Sequence, residues 1–139
     1  AEGDMGSTPE IRYNKGVARY KMRDYGHAIE DFSSSIKDKP EPRGYYNLGN
    51  SLYRMERYES AVNAYRESLL LDPSDRDAKI NLELTLKKIR DEKERKETPS
   101  GEERSTQRLL DLLSEKDADL QPQKRILKEK GATPVEKDW

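Results

Sequence analysis

Tyr45-Tyr46-Asn47-Leu48-Gly49-Asn50-Ser51-Leu52-Tyr53, with Tyr58-Glu59-Ser60-Ala61-Val62-Asn63-Ala64-Tyr65 and Pro73 behind it, decides the fold, because an earlier stretch already spells the same pattern. Tyr25-Gly26-His27-Ala28-Ile29-Glu30-Asp31-Phe32 stands 33 residues ahead of the second block, and Tyr13-Asn14-Lys15-Gly16 stands 33 ahead of Tyr46-Asn47-Leu48-Gly49. Tyr20 pairs with Tyr53, and Pro40 with Pro73, at the same offset. A partial third copy runs from Asp72-Pro73 into Ile80-Asn81-Leu82, with Asn81 lying 34 residues after Asn47. Self-similarity at this period marks stacked supersecondary units, none of which buries its apolar face alone.

The unit reads as a helical hairpin. Gly16 and Gly49 fall inside helical patterns, where glycine costs ~1 kcal/mol relative to alanine. That cost is tolerable where a missing side chain lets a neighbouring helix approach. Ala28 and Ala61 are the expected complements, and Phe32 and Tyr65 follow four residues later on the same helix face. Pro40 and Pro73 end each unit, because the residue before proline resists the helical conformation and the ring cannot sit mid-helix. Thr8-Pro9 is a start signal, and Ser74-x-x-Asp77 resembles a capping box opening the third segment. The spacing predicts helices near 9–22, 25–38, 42–55, 58–71 and 75–95. The last outruns its apolar positions into Arg90-Asp91-Glu92-Lys93-Glu94-Arg95-Lys96-Glu97, the polar surface expected of a helix that caps a stack.

These residues resemble the tetratricopeptide repeat (TPR). The second copy carries that family's pattern as Tyr45-x2-Leu48-Gly49-x2-Leu52, then Ala61-x3-Tyr65, then Pro73. The first copy has Arg12 and Lys15 where the family has an aromatic residue and Leu, but keeps Gly16, Ala28, Phe32 and Pro40. The third has Glu83 in place of Gly and retains only its first helix. The resemblance covers about residues 9 to 89 and implies an all-α, helix-turn-helix solenoid of two repeats plus a long capping helix and a partly helical tail. The expected layout is an N-terminal tail over 1–8, repeats over 9–41 and 42–75, a capping helix over 76–97, and a linker and amphipathic tail over 98–139. Two repeats and a cap fall short of the ~3 repeats usually needed for stability. Self-association or tail docking is the expected source of the missing burial.

Composition narrows the function. All eight tyrosines lie between Tyr13 and Tyr65 with the single Phe32, so the core lies in the repeats and the chain beyond Glu83 is Lys/Glu-rich. Lys and Arg total 27 against 28 Asp and Glu, which lacks the basic excess that nucleic-acid binding rewards. No apolar run is long enough to span a bilayer. The absence of cysteine excludes disulfides and thiolate chemistry. Ala1-Glu2-Gly3-Asp4-Met5-Gly6 has no charged or apolar leader pattern and reads as a processed or appended end. The single His27, at a helix start, reads as an ordinary exposed side chain. With no Gly-rich phosphate loop and no nucleophile elbow, the chain reads as non-enzymatic, with no cofactor and no metal.

In the family, the first helices of successive repeats line a concave surface that receives peptides or partner helices. Carried across by alignment, Tyr13, Tyr46 and Ile80 form one row on that surface, and Asn14, Asn47 and Asn81 a second. Val17, Asn50 and Leu84 follow, then Tyr20, Tyr53 and Lys87, then Lys21, Arg54 and Lys88. Of these, Tyr13, Asn14, Tyr20, Lys21, Tyr46, Asn47, Asn50, Tyr53, Arg54, Asn81 and Lys88 are the candidate partner-binding residues. An Asn amide carries two donors and an acceptor, so it can clamp a peptide backbone without reading its sequence. The tyrosines add rigid contact area, and the basic row favours an acidic segment. The alternative for the asparagines is inter-helix packing. Tyr45 and Tyr58 read as packing residues. Compared with the carboxylate-clamp subclass that holds chaperone termini, Asn47 fits but Val17, Tyr13, Asp77 and Asn81 depart, so that mechanism is not expected.

Thr98-Pro99-Ser100-Gly101 reads as a linker, Leu109, Leu110, Leu112 and Leu113 as a short amphipathic helix, and Ile126-Leu127 as a Lys-rich stretch beyond the Gln121-Pro122 break. The second repeat running into Ala78-Lys79-Ile80-Asn81-Leu82-Glu83-Leu84, with the ending Lys137-Asp138-Trp139, is similar to the small TPR proteins of bacterial Bat (aerotolerance) operons. That similarity implies von Willebrand A-domain membrane proteins as partners and a periplasmic or envelope-associated location, with a cytoplasmic one as the alternative. Two functions compete: a scaffold whose groove binds a partner peptide or helix, and a self-assembly module whose leucine-containing tail docks in its own or a neighbour's groove as a homo-oligomer.

Overall fold

A computed structural model describes residues 6–97, 101–114, 134–137 and 139. Every regular element among the described residues is a helix: α1 (Pro9–Lys21), α2 (Tyr25–Asp38), α3 (Pro42–Arg54), α4 (Tyr58–Leu71), α5 (Arg76–Lys96) and α6 (Gly101–Leu113). Two compact units emerge, one of Ala1–Leu86 with Pro134–Trp139, the other of Lys87–Thr133.

In the first unit, α1 packs on α2, α2 on α3, and α3 on α4, an all-α stack of adjacent hairpins. Helix starts follow their local chemistry. The Thr8 hydroxyl accepts from the Ile11 N–H at 3.2 Å, with Pro9 in the first turn of α1. α5 opens differently from the capping box expected of Ser74 and Asp77. Asp75 accepts from the Ala78 N–H at 3.2 Å, whereas the Ser74 hydroxyl turns back to Asp72 at 2.7 Å. A Ser-x-x-Asp spacing was present, but the carboxylate one residue further on sits nearer the orphan donors of the helix end.

The paired helices of each hairpin interlock at glycine. A Cβ on Gly16 would lie 2.7 Å from Phe32 Cε1, and one on Gly49 would lie 2.5 Å from Tyr65 Cε1. The expected complements Ala28 and Ala61 are fully buried, but the atoms that close on the glycines are these rings. A second staple recurs with them: the Ser35 hydroxyl donates to the Pro9 carbonyl at 2.7 Å, and Ser68 donates to that of Pro42 at 2.8 Å. The turn inside each hairpin is also duplicated. Arg23 and Glu56 adopt left-handed backbone (φ 63° and 60°). Asp24 N–H reaches Arg19 C=O, and Arg57 N–H reaches Leu52 C=O, both at 2.9 Å, which closes a Schellman motif on α1 and on α3.

The second unit holds the distal half of α5 and α6. Every side chain of α6 is exposed, Leu109, Leu110, Leu112 and Leu113 included. Ile126-Leu127 and residues 98–100 of the expected linker lie outside the described residues.

Candidate functional site

The site is the face to which α1, α3 and the first part of α5 each contribute, and the segment Pro134–Trp139 of the same chain lies on it. Its centre is Asn81, fully buried on α5. Asn81 Oδ1 accepts from the Val135 N–H at 2.7 Å, and Asn81 Nδ2 donates to the Val135 carbonyl at 2.9 Å. One side-chain amide thus matches both polar groups of one backbone residue, as a neighbouring β-strand does.

The amide is held in place by its own neighbours. Tyr65 from α4 donates to Asn50 Oδ1 at 2.5 Å, and Asn81 Nδ2 donates to the same oxygen at 3.0 Å. Asn81 Nδ2 also approaches the Tyr46 hydroxyl at 3.0 Å, so its two hydrogens are shared among three acceptors. The Tyr46 hydroxyl donates to the Val135 carbonyl, to which Asn50 Nδ2 adds a long contact of 3.4 Å. Burial raises the Tyr46 phenol well above the usual tyrosine range, with the Asn50 and Asn81 contacts offsetting only part of that. It therefore stays protonated and able to donate at neutral pH.

Charged subsites flank this polar centre. On one side, Glu136 Oε1 accepts from Arg54 Nη2 at 2.8 Å and from the Tyr20 hydroxyl at 2.5 Å. Burial would lower the Arg54 guanidinium, but its bonds to Glu136 and Tyr20 outweigh that and raise it. On the other side, Lys137 Nζ pairs with Asp75 and lies 3.8 Å from Asp77. The Asp75 side chain is only 2% exposed, and its Oδ2 has no hydrogen-bond partner. The same ammonium sits 4.9 Å from the Tyr46 ring centre and 4.7 Å from that of Trp139, within cation–π reach of both rings. The Trp139 ring meets Tyr46 edge-on, 6.0 Å between centres, while staying half exposed.

The structure therefore gathers Tyr20, Tyr46, Asn50, Arg54 and Asn81 around one segment, Pro134–Trp139. The other candidates go elsewhere. Asn47 donates to the Tyr13 hydroxyl at 2.8 Å, the same bond that Asn81 makes to Tyr46, so each of these asparagines ties its repeat to the tyrosine of the one before. Asn14 is exposed. Tyr13 is buried against Phe32 and beneath Arg43, whose guanidinium lies 4.1 Å above its ring. Tyr53 is buried edge-on to Tyr58 at 5.2 Å. Lys21 is exposed, and Lys88 belongs to the second unit. Residue-by-residue reading missed Asp75, because the opening of that helix was assigned to Ser74 and Asp77, and missed the segment itself. The tail leucines were expected to dock, whereas Pro134, Val135, Glu136, Lys137 and Trp139 are the residues on this face.

His27 is exposed and bonds Asp24, the N-cap of α2, at 2.8 Å. Among the described residues no group of three His, Asp or Glu could hold a metal ion, and no helix is long and apolar enough to cross a membrane.

A face built from the first helices of stacked hairpins, bonded to the backbone of a segment of the same chain, is the architecture of a helical-repeat interaction module. Residues 42–75 match the family model of the tetratricopeptide repeat. With the equivalent hairpin before it and the helix α5 after it, that match supports a TPR-like helical stack, and the TPR family is generally one of non-enzymatic protein-interaction modules. No curated protein matches the chain as a relative.

Proposed function

We propose that this face is a peptide groove in which the protein, acting as a non-enzymatic scaffold, grips an extended segment of a protein partner by its main chain. The observation that carries the reading is the two-point contact of Asn81 with the Val135 N–H and C=O, at 2.7 and 2.9 Å. A buried amide already oriented by Asn50 and Tyr46 costs little further ordering on binding, so its backbone contact contributes affinity in full. Because it addresses main-chain atoms, it tolerates variety in the bound side chains. The setting we favour is a bacterial envelope complex of the Bat type, with a von Willebrand A-domain membrane protein as partner. This rests on the run Ala78–Leu84 and on the ending Lys137-Asp138-Trp139.

Panning a peptide-display library against the full chain tests the groove, with Asn81→Leu as the counter-screen. Peptides should emerge that bind the parent chain at least about tenfold more tightly than the variant, the loss of one well-buried hydrogen-bonded pair. A library yielding only binders indifferent to Asn81 would sink the proposal. The second reading, self-assembly, is favoured by the groove's occupant being a segment of this same chain. It requires a mass above 16.1 kDa in solution.

A further inference from the structure

We infer that the segment Pro134–Trp139 is a built-in competitor of the partner, and that its side chains spell what the partner must present. That partner segment carries a carboxylate directly after the residue whose backbone is clamped, a cation next, and an aromatic ring two residues beyond. The inference rests on the groove reading above and adds to it a side-chain code and a gate.

Asp75 makes the code obligatory. Its carboxylate is nearly sealed from water, caps α5 through the Ala78 N–H, and keeps one oxygen without a hydrogen-bond partner. Lys137 is the cation that answers it. Removing one partner of a buried ion pair is far more costly than removing both, so a ligand that displaces Lys137 without bringing its own positive charge strands Asp75. Arg54 and the Tyr20 hydroxyl impose the complementary demand one residue earlier, since both converge on a single carboxylate oxygen of Glu136. The two subsites have opposite sign and adjacent register. A segment carrying the charges in the reverse order puts like against like at both. The aromatic position is set by Tyr46, which meets Trp139 edge-on, with the Lys137 ammonium against both rings. A tethered occupant also competes at an effective concentration on the order of millimolar, so a partner arriving in trans must match this pattern to win the groove.

Fluorescence anisotropy tests both parts on the full chain. The probe is a labelled peptide Pro-Val-Glu-Lys-Asp-Trp, and the second chain carries Glu136→Lys with Lys137→Glu, which reverses the segment's charges on side chains that are not part of the helical core. The reversed chain should bind the probe at least about tenfold more tightly than the parent, because its own segment no longer competes. A probe of reversed order, Pro-Val-Lys-Glu-Asp-Trp, should bind the reversed chain at least about tenfold more weakly than the first probe. Equal affinity of parent and reversed chain for the first probe, whether measurable or nil, overturns the gate. Equal affinity of the two probes overturns the code. Asn81→Ala in the reversed chain separates this from the groove reading. If it abolishes binding while the probes bind alike, the clamp stands and the code falls. If it leaves binding intact while the probes differ, the code stands and the clamp falls. Helical circular dichroism confirms that each chain is folded. A parent mass of twice 16.1 kDa by light scattering, lost on charge reversal, assigns the segment to a neighbouring copy and overturns the intramolecular gate.

Discussion

Gly49 and Gly26 are both glycines in helices, yet they do opposite things. At Gly49 a Cβ would come within 3 Å of three ring atoms of Tyr65, which is fully buried and hydrogen-bonded to Asn50, so the ring has nowhere to retreat. At Gly26, in α2, a Cβ meets nothing within 4 Å. Gly49→Ala should therefore destabilise the protein by about 1–3 kcal/mol despite the helix propensity gained, with Asn50 and the groove disturbed as a consequence. Gly26→Ala should stabilise it by about 0.5–1 kcal/mol. Urea denaturation of the two variants checks the contrast, and a shift of the same sign in both contradicts it. The glycines that matter were recognisable from their repetition at 33 residues. What they face was not, because Ala28 and Phe32 were equally plausible neighbours until the helix phase was known. The asparagines divide in the same way: an amide suits either a packing staple or a peptide clamp, and only the position in the stack assigns Asn47 to the first and Asn81 to both.

At the scale of the element, the helices were legible almost residue by residue. α1 to α4 end within one residue of where proline and the apolar spacing put their limits. Their joints were less so. The turns after α1 and α3 place Arg23 and Glu56 in the left-handed region, where neither residue type advertises it. Nothing but the shared offset marks these positions, and a charged residue at a turn reads simply as solvated. The same holds for Ser35 and Ser68, whose carbonyl partners on the preceding helix are invisible without coordinates. The Schellman geometry after α3 gives a direct expectation. Left-handed backbone costs a non-glycine residue ~1–2 kcal/mol, against which glycine's extra unfolded-state entropy takes back ~0.5–1. Glu56→Gly should raise stability by up to about 1 kcal/mol, and Arg23→Gly likewise, with effects that add because the turns share no partners. Thermal denaturation of the single and double variants measures this. A loss of stability in either turn would mean that the side chain, not the backbone, governs the joint.

Over the first unit as a whole, tyrosine supplies what a longer repeat array gets from neighbouring repeats. Two hairpins and one further helix are few for a solenoid, and the shortfall is met partly from outside the repeat pattern, by Pro134–Trp139 laid across it. That segment was the least legible part of the chain. It has no periodicity, and its partners Tyr46 and Asn81 lie 89 and 54 residues away from Val135. Its docking also ties the stack to tyrosine protonation. Burial holds the phenols of Tyr46 and Tyr65 well above the ordinary value of 10.0, and pushes Tyr53 up to about 12. In the unfolded chain these groups lose their protons near pH 10, while in the folded chain they keep them. The native state therefore binds more protons above that pH, and its stability falls as pH rises, by about 1.4 kcal/mol per pH unit for each fully buried tyrosine. Below pH ~10 these groups contribute no slope. The groove should fail along with the core, since ionised Tyr46 cannot donate to the Val135 carbonyl. Urea midpoints at about pH 8 and about pH 11, read by helical circular dichroism and by Trp139 emission, should drop together across that window. A Trp139 signal that changes while the helices hold would show that the segment leaves the groove independently of the core.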